Sequence, residues 1–246
     1  LRQRILAWAK RRLLRRVDLM LLHQKDTAGM RECYGIDPAR MRYIPYKVNS
    51  LRSVERMDIP EGEYVFSGGR SRRDYTTFCA AMAGLELPTL LLTPPDRENA
   101  FHETFLDRAN APTHVHVVHD DGSPESWLEA MARARIVVIP VLPNSISPSG
   151  VGTYLLAMAL GKCVIMTESP ATRDVLEHEK HAILVPMANA EALREAVRRA
   201  WHDDAYRRRI AATGQAYALS LGGVENLQRN IAQMVLGFLQ SQGAAG

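Results

Sequence analysis

Residues 136–167 read IVVIPVLPNSISPSGVGTYLLAMALGKCVIMT. Branched apolar residues run to Pro140, a loop of serine, proline and glycine follows, a helix signal spans 151–160, and a second apolar run covers 163–167. Strand, helix and strand in that order return the chain to the same end of the sheet, so the two strands pair in parallel through a right-handed crossover. The alternation continues outward. Strand signals recur at 64–67, 88–93, 114–118, 136–140, 163–167 and 182–185, with helix-length segments at 74–83, around 99–108, at 124–132 and 151–160, and a shorter one near 173–177. The strands are almost wholly apolar, as required where helices cover both faces. The expected fold class is α/β: a doubly wound, Rossmann-like parallel sheet.

The flanking regions differ. Upstream, 2–16 is a helix candidate, 17–23 a short buried strand, 27–34 a helix ended by Gly35, and 42–45 another strand. Gly35 suits the position after a helix C-terminus, and Asp37-Pro38 enforces a turn. The polar stretch 47–60 reads as a linker. Downstream, 189–241 reads as helices only, broken near Asp203 and at Gly222-Gly223. No solenoid-type repeat is visible, and the only low-complexity tract is the tail 243–246.

Of 246 residues, 46% are apolar and 24% charged, which excludes disorder and supplies enough interior for one or two domains. No window holds the roughly 18 uninterrupted apolar residues of a spanning helix. The net charge of +4 is unevenly placed: residues 1–16 hold seven bases and no acid, so the rest of the chain carries a small excess of acid. That argues against a nucleic-acid partner, which requires a basic face on the folded domain. The basic opening suits either a solvated helix or peripheral contact with anionic lipid on the inner face of a membrane. Cys33, Cys79 and Cys163 are odd in number and show no CxxC spacing, so neither disulfides nor zinc are indicated and a reducing, cytoplasmic setting is expected. Position 1 is Leu, and the chain reads as an internal piece of a longer frame.

Ligands of open α/β sheets bind at the carboxyl ends of the strands, so the loops that follow them are the places to search. The first loop is Gly68-Gly69-Arg70-Ser71-Arg72-Arg73, with Asp74 as a helix N-cap. Its glycines permit close backbone approach and its guanidinium groups match phosphate oxygens; a tight turn with solvated arginines is the plainer alternative. The second runs from Asn144 through Ser147, Ser149, Gly150, Val151 and Gly152 to Thr153. It offers backbone N–H groups at a helix start, as an ordinary serine cap also would. Convergence of both loops on one crevice favours a diphosphate. In the third, Glu168 at a strand end is either a hydroxyl-binding carboxylate or a solvated turn residue. His119, with Asp120 and Asp121, closes another strand at the edge of a base pocket. His114, His116 and His119 lack a further ligand type, so no metal is expected. Nucleophile-elbow, P-loop, HExxH and EF-hand patterns are absent from the sequence.

In the order of its segments, 65–209 resembles the donor-binding half of GT-B glycosyltransferases of the family 4 (group 1) type. FSGGRSRRDYTTF is similar to that family's first loop, with Arg70 and Arg73 at its phosphate-binding basic pair. SPSGVGTYLLAMALGKCVI resembles its nucleotide loop, helix and following strand, with Cys163 where proline is usual. EHEKHAILVPMANAEALREAVRRAWHDDAYRRRI is similar to its closing stretch.

The resemblance implies a retaining transfer, without metal or cofactor, of a hexose-type sugar from a UDP- or GDP-linked donor. The implied acceptor is a bacterial cell-surface polysaccharide or lipid-linked glycan. Gly69, Arg70, Arg73 and 149–153 would hold the diphosphate, while His119, Asn144, Ser147 and Glu168 would face nucleotide or sugar. Residues 1–60 would be the end of the acceptor-side domain with its linker, 61–215 the nucleotide-sugar domain, and 216–246 a helix packing back toward the first. One departure stands out. The family's two glutamates, separated by seven intervening residues, fall at Pro148 and Leu156, and no Asp or Glu occurs between 130 and 167. Catalytic residues are therefore unassigned, and a non-catalytic nucleotide-sugar-binding or scaffold relative is the alternative. An epimerase on the same fold is a weaker one, because acid/base groups are missing.

Overall fold

The structure is a computed structural model that describes residues 2–95, 98, 102–104, 106–143 and 146–243. Its strands are β1 (Met20–Leu22), β2 (Met41–Tyr43), β3 (Val65–Gly68), β4 (Thr89–Thr93), β5 (Val115–His119), β6 (Ile136–Ile139), β7 (Cys163–Thr167) and β8 (Ile183–Val185). The α-helices are α1 (Arg2–Leu14), α2 (Ala28–Tyr34), α3 (Leu51–Val54), α4 (Tyr75–Met82), α5 (Pro124–Ala132), α6 (Val151–Ala159), α7 (Ala190–His202), α8 (Asp204–Leu221) and α9 (Val224–Gly243).

β3 to β8 form one all-parallel sheet in the order β5-β4-β3-β6-β7-β8, while β1 and β2 pair in parallel as a separate two-stranded sheet. Counted from β3, the large sheet runs 3-2-1-4-5-6, the doubly wound order expected from the sequence. The chain leaves β3 in one direction along the sheet and β6 in the other, which makes the β3/β6 seam the switch point. Side-chain alternation explains why both faces are dry. Ile136 and Val138 of β6, with Cys163 and Ile165 of β7, pack with Tyr75, Phe78 and Met82 of α4 and Leu193 and Val197 of α7. Val137 and Ile139, with Val164 and Met166, pack with Tyr154, Leu155 and Met158 of α6 on the other face.

Most predicted elements appear within two or three residues of their expected limits. The segment near 173–177 is not a helix. Thr172 and Arg173 both donate their N–H to Ser169 O, and Asp174 takes a left-handed φ of 60°, which ends the turn before a helix propagates. The helix expected around 99–108 lies mostly outside the described residues. In the linker, the short helix α3 breaks a stretch read as irregular. Among the described residues no helix is long and apolar enough to cross a membrane.

Gly214 of α8 is required by close packing. A Cβ there would lie 2.6 Å from the backbone carbonyl oxygen of His181 and 3.3 Å from Met158 Cγ of α6. Gly214→Val is expected to cost about 1–3 kcal/mol, the range for overpacking a well-filled interior, read as a lower urea midpoint. Thiol titration tests the core independently. Burial pushes Cys79 up to about 11 and Cys163 up to about 12, whereas Cys33 is exposed. One thiol is therefore expected to react rapidly with Ellman's reagent at pH 8 in the native protein, and three after denaturation.

Candidate functional site

The loops leaving β3 and β6 are zipped together. Asp74 N donates to Pro140 O at 3.1 Å and Leu142 N to Arg72 O at 2.9 Å, so the first loop is pinned to the start of the second. Asp74 also caps α4, accepting from Thr77 N and Thr77 Oγ1. Between these loops, α5 and the linker lies a cleft of about 450 Å³. Gly69 to Ser71 and Arg73 line its floor, Ser123, Pro124, Trp127 and Leu128 one wall, and Gly150, Gly152, Thr153 and Leu156 the other; Asn49 and Ser50 close it from the linker.

Arg73 is the anchor. Its side chain is buried and donates from Nε to Gly68 O at 3.2 Å, from Nη1 to Ser71 O at 2.7 Å and from Nη2 to Thr153 Oγ1 at 3.0 Å. All three acceptors are neutral, and no carboxylate among the described residues pairs with it. Burial lowers its pKa from the usual guanidinium value, yet such a group keeps its proton. A buried, protonated cation without a counter-charge is costly and attracts an anion. Gly69 lets the chain arch over this guanidinium. Its φ is +135°, and a Cβ there would collide with the Arg73 head group. Tyr75 fixes the same arch by donating its hydroxyl to Gly69 O at 2.9 Å, with its own pKa raised by burial.

The start of α6 faces the same space. Its cap is Gly150, at φ 92°, and no side chain caps the helix. α5 is capped instead by Ser123, which accepts from Ser126 N. Val151 N donates to Pro148 O at 3.4 Å, and the N–H groups that follow it in the first turn of α6, with the positive end of the helix dipole, are open to an anion beside Arg73.

Several residues expected at the site do converge: Gly69, Arg70, Arg73, Gly150, Gly152 and Thr153 line one cleft, with Val151 on α6 between them. Ser149 is buried behind this loop and shares a hydrogen bond with Ser147, 2.9 Å between hydroxyl oxygens. His119 is not brought in. It lies at the exposed end of β5 beside Arg108 and the Pro94 carbonyl, and the next residue, Asp120, is the one that reaches the cleft. Glu168 is exposed and also absent from the lining, since its strand is displaced from the switch point by β6. Asn144 falls outside the described residues. Arg70 is in the cleft but already paired, with Nε and Nη2 at 3.1 and 3.0 Å from Asp120 Oδ2. Arg72 pairs with Glu103. Asn49 and Trp127 carried no local signal, though Gly68 is a partial one: a Cβ there would lie 2.6 Å from the Trp127 ring.

Residues 90–203 match the family model described as glycosyl transferases group 1. Sucrose-phosphate synthase from Thermosynechococcus elongatus is 19% identical with a TM-score of 0.73, over 97% of this chain and 62% of that one. The fold is that of the C-terminal half of GT-B glycosyltransferases. Anabaena HepE in complex with UDP-glucose is 16% identical with a TM-score of 0.72, over 96% of this chain and 68% of that one. The C-terminal domain of the group 1 protein LpcC from Francisella tularensis is 18% identical with a TM-score of 0.52, over 73% of this chain and 96% of that one. No curated protein sequence matches significantly. The chain thus spans about two thirds of the length of the synthase and HepE chains.

The Gly69 arch is open to a direct test. Gly69→Ala places a methyl group at a φ reserved for glycine and against the Arg73 head group. It is expected to lower stability by about 1–3 kcal/mol in urea unfolding, the cost of a strained backbone position.

Proposed function

We propose that this chain is the nucleotide-sugar-binding part of a glycosyltransferase that takes a sugar from a UDP- or GDP-linked donor. The observation that carries this reading is the buried guanidinium of Arg73, unpaired with any described carboxylate, beside the uncapped start of α6. It sits at the switch point of a parallel sheet, where such folds bind nucleotides. The group 1 match and a neighbour solved with UDP-glucose support the same ligand class. The diphosphate lies along Gly69 to Arg73 and the Gly150 to Thr153 turn, and these fixed donors stabilise the negative charge that develops as the nucleotide departs. We further propose a retaining transfer of a hexose to a cell-surface polysaccharide or glycolipid acceptor. In this reading 1–60 and 216–246 face the acceptor side, and α1 lies near the inner surface of the membrane.

A second reading has its own support. Pro148 and Leu156 stand where the group 1 resemblance implies carboxylates, and Leu156 forms part of the cleft wall. Hydroxyl recognition by a charged acceptor is therefore lost there, which favours a binding or scaffold relative without transfer chemistry.

Two measurements decide between these readings. In a thermal-shift panel with UDP, GDP, ADP and CMP, a ligand at 100 times its dissociation constant adds about 2.7 kcal/mol. One nucleotide is expected to stabilise the protein. Arg73→Met is expected to weaken its binding by about 1.5–3 kcal/mol, the range for hydrogen bonds to charged groups, and Arg70→Ala by less, since Arg70 is already paired with Asp120. Slow hydrolysis of the matching nucleotide sugar supports the transferase, and nucleotide binding without hydrolysis or transfer supports the scaffold.

A further inference from the structure

We propose that Asp120 is an anion built into the cleft that competes with the ligand for Arg70, so that it sets the preference of the site between one phosphate and two. This deepens the phosphate-binding reading above and rests on it.

The carboxylate is held in place and the guanidinium is free to move. Asp120 follows β5 directly, and its N–H donates to Thr93 O at 2.8 Å. Its Oδ1 accepts from Gly122 N at 2.6 Å and its Oδ2 from Nε and Nη2 of Arg70. The Asp120 side chain is 9% exposed and that of Arg70 is 46% exposed. The backbone of Arg70 is tied down, since its carbonyl accepts from Thr104 Oγ1 at 2.6 Å. Only its side chain can swing.

The two arginines of the cleft therefore offer different things. Arg73 donates only to neutral oxygens and presents a whole positive charge. The charge on Arg70 is cancelled by Asp120. Among the described residues, Arg70, Arg73 and Asp120 are the charged ones lining the cleft, and together they carry one net positive charge. A single phosphate is served by Arg73 and the amides of α6. A second phosphate must draw Arg70 away from Asp120, leaving a largely buried carboxylate short of its partner beside a new anion. The second phosphate gains less than a free arginine would give it, and a spent nucleoside diphosphate is released more readily.

The test is titration calorimetry of the full chain at fixed ionic strength with phosphate, pyrophosphate, UMP and UDP. Asp120→Asn keeps an acceptor for Gly122 N and removes the charge; Asp120→Ser does the same with a smaller group should the first variant fold poorly. Pyrophosphate and UDP are expected to bind about five- to twentyfold more tightly to the variant, less than the roughly ten- to hundredfold of a whole charged hydrogen bond because the wild type keeps part of that contact, with phosphate and UMP changed less than about twofold. The gain is expected to vanish when Arg70→Gln is added. Equal tightening of all four ligands overturns the inference, as does weaker UDP binding, which would make Asp120 a support for Arg70. Wild-type protein that binds none of the four overturns the phosphate-site reading itself.

Discussion

One buried guanidinium holds the candidate site together. Arg73 ties the carbonyl oxygens of Gly68 and Ser71, at the end of β3, to the hydroxyl of Thr153 in the first turn of α6. Remove that head group and the backbone bonds from Asp74 and Leu142 are what still joins the described parts of the two loops of the switch point. A well-packed apolar side chain often replaces a buried ionic group without loss of stability, because the charge must first be stripped of water. A protein that keeps such a cation without an opposing carboxylate tolerates the cost for what the charge does, and what it does best beside an open helix start is meet an anion.

Much of the fold was legible because the physics that sets it is local and repetitive. The apolar runs at 136–140 and 163–167 became β6 and β7, since a strand buried on both faces admits little else. Gly35 ended α2 in the left-handed conformation expected of it. The segment near 173–177 misled because two apolar residues, Val175 and Leu176, lie among charged ones, as they would on a short surface helix. Ser169 and Thr172 instead close a local turn with their own backbone, a competition that periodicity does not register.

The site was less legible, for a geometric reason. Glycines and arginines at strand ends name candidate loops, and the strand order decides which of them meet. β3 and β6 are neighbours, so Arg73 and Thr153 met; His119 and Glu168 stayed outside, although Asp120, next to His119 in the chain, lines the cleft. Sequence also does not show which charges are already spent. Arg70 and Arg73 look equivalent along the chain, yet one lies against Asp120, fifty residues away, and the other faces only neutral oxygens.

The cleft is consequently lopsided. Cationic and amide donors occupy the switch-point end, while Pro124, Trp127, Leu128 and Leu156 present an apolar wall. Its one lining carboxylate is engaged by Arg70 and Gly122. Hydroxyl groups of a ligand therefore meet neutral partners such as Asn49, Ser50 and Ser123, each a weaker hydrogen bond than a carboxylate provides. Under the proposed nucleotide-sugar reading, a site built this way would discriminate by the charge of the phosphate end more than by the hydroxyl pattern of the sugar. Its contribution to chemistry would then be to stabilise a departing anion with fixed donors, a role that requires no general base.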